Sequence, residues 1–101
     1  MDVQITRRHV KVSTSLQDAL TEKLNKIQKF YEKITACHVV LDSEHTDKTA
    51  EVIVTIMGRT LAAKAKADTM RAAAEAALSK LERQLKKNNE KMKDHKAVKP
   101  E

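Results

Sequence analysis

AEVIVTIMGRTLAAKAKA, residues 50–67, is the stretch that decides the fold. Its apolar residues alternate on both sides of Gly58, which predicts two half-buried strands, one over Ala50–Met57 and one over Thr60–Ala67. Gly58-Arg59 predicts a tight hairpin turn between them, because glycine tolerates positive φ. The first strand is expected to turn Val52, Val54 and Ile56 inward.

The second strand separates two kinds of side chain. Leu61, Ala63, Ala65 and Ala67 share one face, and Ala62, Lys64 and Lys66 share the other. The alanines also suit a helix, but the alternation and the hairpin favour a strand. We expect no helix over the lysine side.

Upstream, the same rules predict a strand, a helix, a second strand and a polar turn. The helix is expected to begin at the N-cap residues Ser13–Ser15 and to bury a stripe with helical spacing. The stripe is Leu16, Leu20, Leu24, Ile27, Tyr31 and Ile34. The four elements cover, in order, Val3–Val10, a helix ending near Tyr31, Ala36–Leu41 and Asp42–Lys48.

Downstream, a second helix is expected to begin at an Asp68 N-cap and to end near Met92. Its apolar stripe is Met70, Ala74, Ala77, Leu81 and Leu85. The resulting order, β-α-β-β-β-α, predicts an α+β domain with two helices packed on one face of a four-stranded sheet. Double-stranded RNA-binding domains share this layout. We expect one domain over residues 1–93 and a flexible basic tail over 94–101.

The charge predicts a polyanionic partner. The 101-residue chain has a formal net charge of +6, and residues 79–101 hold eight Lys and Arg against four Asp and Glu. The two aromatic residues, Phe30 and Tyr31, are both expected in the core. Since proteins that hold single strands usually stack bases on aromatic rings, the sequence favours folded RNA recognised by shape and phosphate.

The candidate RNA contacts form several basic groups. On the second helix, Lys80, Arg83, Lys87 and Lys91 fall within about 80° of one another, roughly 130° from the apolar stripe. Such a cationic ridge suits a phosphate backbone. Weaker groups lie elsewhere: Lys23, Lys26 and Lys29 on the first helix, Arg7 and Arg8 near the start, and Lys64 and Lys66 on the last strand.

Other functional classes find little support in the sequence. Cys37 is the one cysteine, and the histidines at 9, 38, 45 and 95 lack metal-ligand spacing, so we expect no disulfide within the chain and no metal site. We find no catalytic constellation and expect no enzymatic activity, cofactor or small-molecule substrate. The N-terminus lacks a signal peptide, which predicts a cytoplasmic protein without a membrane partner.

Four segments carry a resemblance to a known family. They are ITRRHV at 5–10, Leu24-x-x-Ile27, HVVL at 38–41 and KLERQLKK at 80–87. Over about residues 1–95 the chain resembles the bacterial ribosome hibernation-promoting factors, which include a related ribosome-associated inhibitor. It departs from the family at Arg7, where glycine is frequent, and at Met70, where tyrosine is frequent.

The resemblance implies a function. Family members bind the small ribosomal subunit at the decoding centre, in the channel for mRNA and tRNA, and block translation in stationary phase. Short members also promote 100S dimers with a separate ribosome modulation factor, and this chain resembles the short type. The matched motif implies that Lys80, Arg83, Lys86 and Lys87 contact 16S rRNA.

Other functions stay open at this stage. The chain also fits a general double-stranded RNA-binding module, or the inhibitor-type paralogue that keeps 70S ribosomes inactive as monomers. An adaptor that docks a partner helix, an enzyme and a membrane-surface helix have less support.

Overall fold

The computed structural model describes residues 2–31 and 33–93, with side chains over 3–31 and 33–87. The expected tail over 94–101 lies outside the described residues. The predicted order β-α-β-β-β-α is confirmed. The elements are β1 (Asp2–Arg8), α1 (Thr14–Phe30), β2 (Ile34–Glu44), β3 (Asp47–Ile56), β4 (Arg59–Ala67) and α2 (Met70–Lys93).

The four strands form one sheet in the order β1-β2-β3-β4. β1 runs parallel to β2, and the other neighbours are antiparallel. Val39, Val52 and Ala63 lie opposite one another on the inner face and are buried, so the predicted alternation is confirmed. Both helices cover this face, as predicted, and the other face of the sheet, here called the open face, carries no helix.

The hairpin between β3 and β4 turns one residue earlier than predicted. Its two-residue loop is Met57-Gly58, and both residues have positive φ, 51° and 77°. Ile56 pairs with Arg59, so Arg59 belongs to β4 and the prediction of Gly58-Arg59 as the turn was wrong. Positive φ at both positions matches the twist of the strands, which is why methionine is held in an unfavourable conformation there.

Two other boundaries were also misplaced. The turn between β2 and β3 is confined to His45-Thr46, because pairing continues to Glu44 and Asp47. β1 ends at Arg8, since His9 has a φ of 52° that interrupts the extended chain. The predictions of a wide turn and of a strand to Val10 were therefore wrong.

The first helix begins as predicted. Ser13 has extended backbone angles, and its hydroxyl accepts a hydrogen bond from the Leu16 N–H at 3.1 Å. This bond satisfies one of the free N–H groups at the helix start. α1 buries four residues of the expected stripe, Leu16, Leu20, Leu24 and Ile27. Tyr31 ends the helix and packs half-buried against the core.

The second helix is capped by a different residue from the one predicted. Thr69 Oγ1 accepts a hydrogen bond from the Ala72 N–H at 3.1 Å, so the N-cap is Thr69 and the prediction of Asp68 was wrong. The cap must directly precede the first helical residue, which is Met70. α2 buries the small and apolar residues Ala73, Ala74, Ala77, Leu78, Leu81 and Leu85.

Two side chains fasten α2 to β4, which lies at the edge of the sheet. Lys80 Nζ donates to the Lys64 carbonyl at 2.9 Å, and Gln84 Nε2 donates to the Ala62 carbonyl at 2.8 Å. Lys80 and Gln84 are four residues apart on the helix, a rise of about 6 Å, and Ala62 and Lys64 are two residues apart on the strand, a rise of about 6.6 Å. The donors and the acceptors are therefore equally spaced. The helix is thereby held along the outer edge of β4.

Candidate nucleic-acid interface

The second helix carries the densest group of cations among the described side chains. Lys80, Arg83, Lys86 and Lys87, here called the α2 cluster, are all exposed, and Glu82 is the one acid between them. The buried leucines Leu81 and Leu85 fix which side of the helix faces solvent. The predicted Lys91 lies in α2, and its side chain is outside the described residues.

The members of the α2 cluster differ in how firmly they are held. Lys80 spends one of its three N–H donors on the Lys64 carbonyl, which leaves two for another acceptor. Lys86 and Lys87 make no hydrogen bond or ion pair with any described residue. With Gln84, all four cations line one open hollow of about 610 Å³. The cluster thus presents one anchored and several adjustable positive charges.

The lysines of α1 lie on the same side of the sheet. Lys23, Lys26 and Lys29 are exposed, as predicted, and the first two line a groove between the helices. Glu75 and Glu82 line this groove from α2. Its charge is therefore mixed, in contrast to the α2 cluster.

Phe30 is not in the core, contrary to the prediction. Its side chain is 80% exposed at the end of α1. Ile27, Tyr31, Ser79, Glu82, Arg83 and Lys86 line a hollow of about 560 Å³ with it, here called the Phe30 hollow. The helical spacing could have predicted that Phe30 is exposed. Tyr31 continues the Leu20–Ile27 stripe, whereas Phe30 lies about 100° from Tyr31 around the helix. One of the two aromatic rings is therefore exposed beside Arg83 and Lys86, and the prediction that both lie in the core was wrong for Phe30.

The remaining predicted contacts are divided by the sheet. Lys64 and Lys66 lie on the open face, as their alternation predicted, and Arg8 lies there too. Arg7 directly precedes Arg8 in β1, so its side chain lies on the opposite face of the sheet, the face that the helices cover. The side chains of Lys64, Lys66 and Arg8 therefore point away from the face that the helices cover, although the Lys64 carbonyl accepts a bond from Lys80 at the β4 edge.

Acids accompany the cations of the open face. Lys66 Nζ lies 4.0 Å from Asp47 Oδ2, and Lys64 pairs across the strands with Glu51. At the other edge, His9 Nδ1 lies 3.2 Å from Asp42 Oδ1. The Ser43 backbone N–H, with smaller effects from His9 and Arg8, lowers the pKa of Asp42. The charges on the open face therefore nearly cancel. Exposed ion pairs of this kind contribute little to the stability of the fold.

Groups of possible chemical reactivity are few among the described residues. The Cys37 side chain is 2% exposed, and burial raises the pKa of its thiol to about 11. A buried neutral thiol is a poor nucleophile and a poor metal ligand. Residues 2–31 and 33–93 hold no group of three or more His, Cys, Asp or Glu placed to bind a metal ion.

A family model covers almost the whole described region. The family described as "Sigma 54 modulation protein / S30EA ribosomal protein" matches residues 3–93. This chain belongs to that family. The ribosome hibernation promoting factor of Pseudomonas putida is 37% identical over 91 residues, which are 90% of this chain and 89% of the relative. That of Escherichia coli (strain K12) is 30% identical over 95 residues, which are 94% of this chain and all of the relative.

Solved structures agree with the S30EA assignment. A ribosomal subunit interface protein from Coxiella burnetii superposes with a TM-score of 0.81 at 29% identity, over 88% of this chain and 98% of that one. The N-terminal domain of Thermus thermophilus Protein Y has the same fold, with a TM-score of 0.75 at 22% identity, over 86% and 98%. The family resemblance read from the sequence is thus confirmed. No helix in the described residues is long and apolar enough to cross a membrane.

Proposed function

We propose that this protein is a ribosome hibernation factor that binds the small ribosomal subunit through its helical face. It occupies the channel for mRNA and tRNA at the decoding centre, contacts 16S rRNA and blocks translation. It promotes 100S ribosome dimers in stationary phase, together with a modulation factor on the same ribosome. Membership of the S30EA family and the names of the relatives support this proposal.

The observation that carries the proposal is the α2 cluster. Four exposed cations follow one helix over two turns, and Lys80 and Gln84 hold that helix against the sheet. Cations spaced along one helix can meet successive phosphates, and they release counterions together. The guanidinium of Arg83 also offers a planar fork that matches phosphate oxygens.

The rest of the helical face extends this surface. Lys23, Lys26 and Lys29 are exposed on α1, the first two along the groove between the helices, and Arg7 faces the same side of the sheet. Lys64, Lys66 and Arg8 were predicted from sequence as contacts, but we propose that they lie outside this interface. Their side chains point to the open face, and each has an acid beside it. Glu51 lies opposite Lys64, Asp47 lies 4.0 Å from Lys66, and Asp42 lies opposite Arg8.

The proposed mechanism is steric competition. The domain is a folded wedge, 47 × 26 × 20 Å in its principal extents, and a channel that holds it has no room for mRNA and tRNA at the same place. Binding requires no chemistry at the interface. Since phosphates supply most of the attraction, affinity is expected to fall steeply with salt.

Sedimentation with ribosomal subunits tests the proposal. The full chain is mixed with separated 30S and 50S subunits in excess duplex RNA and centrifuged through sucrose. We expect it to travel with 30S subunits despite the duplex. Complete displacement by duplex would refute the ribosome assignment and favour the general double-stranded RNA-binding module.

A second gradient separates the two ribosome-bound alternatives. Ribosomes are analysed with the protein, with and without the modulation factor. A shift from 70S to 100S supports the dimer-promoting function. A 70S peak that resists dimerisation would instead identify the inhibitor-type activity.

A further inference from the structure

The Phe30 hollow combines three kinds of group, of which only the cations have a role in the proposed function. Phe30 offers an aromatic ring that is 80% exposed, at the end of α1. Arg83 and Lys86 of the α2 cluster line the same hollow, and so do the Ser79 hydroxyl and the Glu82 carboxylate. An exposed ring, two cations and two hydrogen-bonding groups therefore meet at one place.

Each group matches a part of a nucleotide. An aromatic ring or a guanidinium plane stacks on the face of an unpaired base. Lys86 provides a point charge for a phosphate. A carboxylate accepts hydrogen bonds from the exocyclic amino groups of bases, as Glu does from cytosine N4. The volume, about 560 Å³, falls within the range of roughly 300–1,000 Å³ typical of small-molecule sites.

A nucleotide fits this hollow better than a protein partner does. One aromatic side chain buries about 150–250 Å², whereas a stable protein interface needs about 800 Å² on each side. Met57, the other exposed large apolar residue among the described side chains, lies in the β3–β4 hairpin and does not line the hollow. The cations beside Phe30 also favour a polyanion over an apolar helix.

We propose that the Phe30 hollow holds one unstacked nucleotide of the bound RNA. Phe30 and Arg83 contact the base, Lys86 holds a phosphate, and Glu82 accepts a hydrogen bond from the base edge. This inference rests on the proposed function for the identity of the RNA. Cytosine, adenine and guanine present an exocyclic amino group for this bond. Uracil presents only its ring N3–H, between two carbonyl oxygens that repel a carboxylate, so the site prefers the first three.

Substitutions at Phe30 test the stacking on ribosomes. Because its ring is exposed, Phe30→Ala leaves the core intact, and we expect 30S affinity to fall about 5- to 150-fold. Phe30→Tyr keeps an aromatic face and retains the affinity within about twofold. The matched control Met57→Ala removes the other exposed apolar side chain and leaves affinity unchanged. Equal affinity for Phe30→Ala and wild type would overturn the proposal.

A second measurement does not depend on ribosomes. Phe30 is the one phenylalanine of the chain, so labelled phenylalanine gives a single set of ring signals by NMR. We expect these signals to move upfield when the tetranucleotide r(CCCC) is added, and to move less with r(UUUU). Glu82→Gln should reduce this difference, because an amide both donates and accepts. Ring signals that stay in place while the α2 backbone amides shift would indicate phosphate contact alone and overturn the proposal.

The two experiments distinguish a failure of the nucleotide site from a failure of the proposed function. Ring shifts with a base preference, in a protein that does not travel with 30S subunits, would refute the proposed function and keep the nucleotide site. Binding to 30S subunits that is insensitive to Phe30→Ala would refute the site and keep the proposed function.

Discussion

Removing two cations of the α2 cluster should change the salt dependence of binding by a calculable amount. The perturbation is the double substitution Lys86→Ala, Lys87→Ala. Both side chains are exposed and make no hydrogen bond or ion pair with a described residue, and alanine favours helix. The fold should therefore be unaffected, and the change in affinity reports the lost charges.

The magnitude follows from counterion release. With the value for a duplex, each phosphate contact contributes about 0.9 to the slope of log K against log salt, so the loss of two contacts makes the slope shallower by about 1.8. Relative to a 1 M salt reference, at which counterion release contributes nothing, affinity should fall about 200-fold at 50 mM salt and about 20-fold at 200 mM. At 100 mM the loss is about 60-fold, which corresponds to about 2.5 kcal/mol.

The assay is equilibrium binding of fluorescently labelled protein to 30S subunits at four salt concentrations. A matched control is Lys64→Ala, Lys66→Ala, which removes the same charge from the open face. We expect the control to keep the wild-type slope, because these lysines lie outside the proposed interface. It should also keep its fold, because its one ion pair, Lys66 with Asp47, is exposed and weak. An unchanged slope in the α2 variant would refute the electrostatic argument. An equal loss of affinity in the control would refute the proposal that the open face lies outside the interface.

Four further predictions concern stability and reactivity. Met57→Asn gives an Asn-Gly loop suited to positive φ and should stabilise the protein by about 0.5–1 kcal/mol in urea unfolding; a loss would contradict the turn geometry. Gln84→Ala removes the bond to the Ala62 carbonyl and should destabilise by about 0.5–1.5 kcal/mol, whereas the exposed Lys87→Ala should not. The Cys37 thiol should resist a disulfide reagent at pH 8 until urea is added. Burial raises the pKa of the Cys37 thiol from 9.0 to about 11, so between those pH values the unfolded chain loses the thiol proton and the folded protein keeps it. The free energy of unfolding should therefore decline over that range, and less so in Cys37→Ala.

Much of the fold follows from periodicity. Strict alternation in β4 predicted that Ala63 is buried while Lys64 is exposed, and no helix competes for that outer side. The cap of α1 was predicted within Ser13–Ser15, because hydroxyl residues precede an amphipathic run, and in the structure it is Ser13. Such patterns are reliable because burial of one face constrains every second or every third to fourth residue.

What failed depended on single positions and on tertiary contacts. Asp68 and Thr69 are both good caps, and only the register of α2 distinguishes them. Met57 at positive φ runs against its own preference and is imposed by the pairing of β3 with β4. Phe30 was placed in the core by residue type, whereas α1 ends at this residue and its side chain is 80% exposed.

The bonds from Lys80 and Gln84 to β4 also bear on how the protein behaves when it is abundant. An edge strand offers unpaired carbonyls to any other extended chain, and this templating underlies edge-to-edge aggregation. Two outward carbonyls of β4, those of Ala62 and Lys64, are already occupied. An incoming strand would have to displace both donors and approach a cationic helix. The helix proposed to grip RNA thus also protects the sheet from growing through its β4 edge.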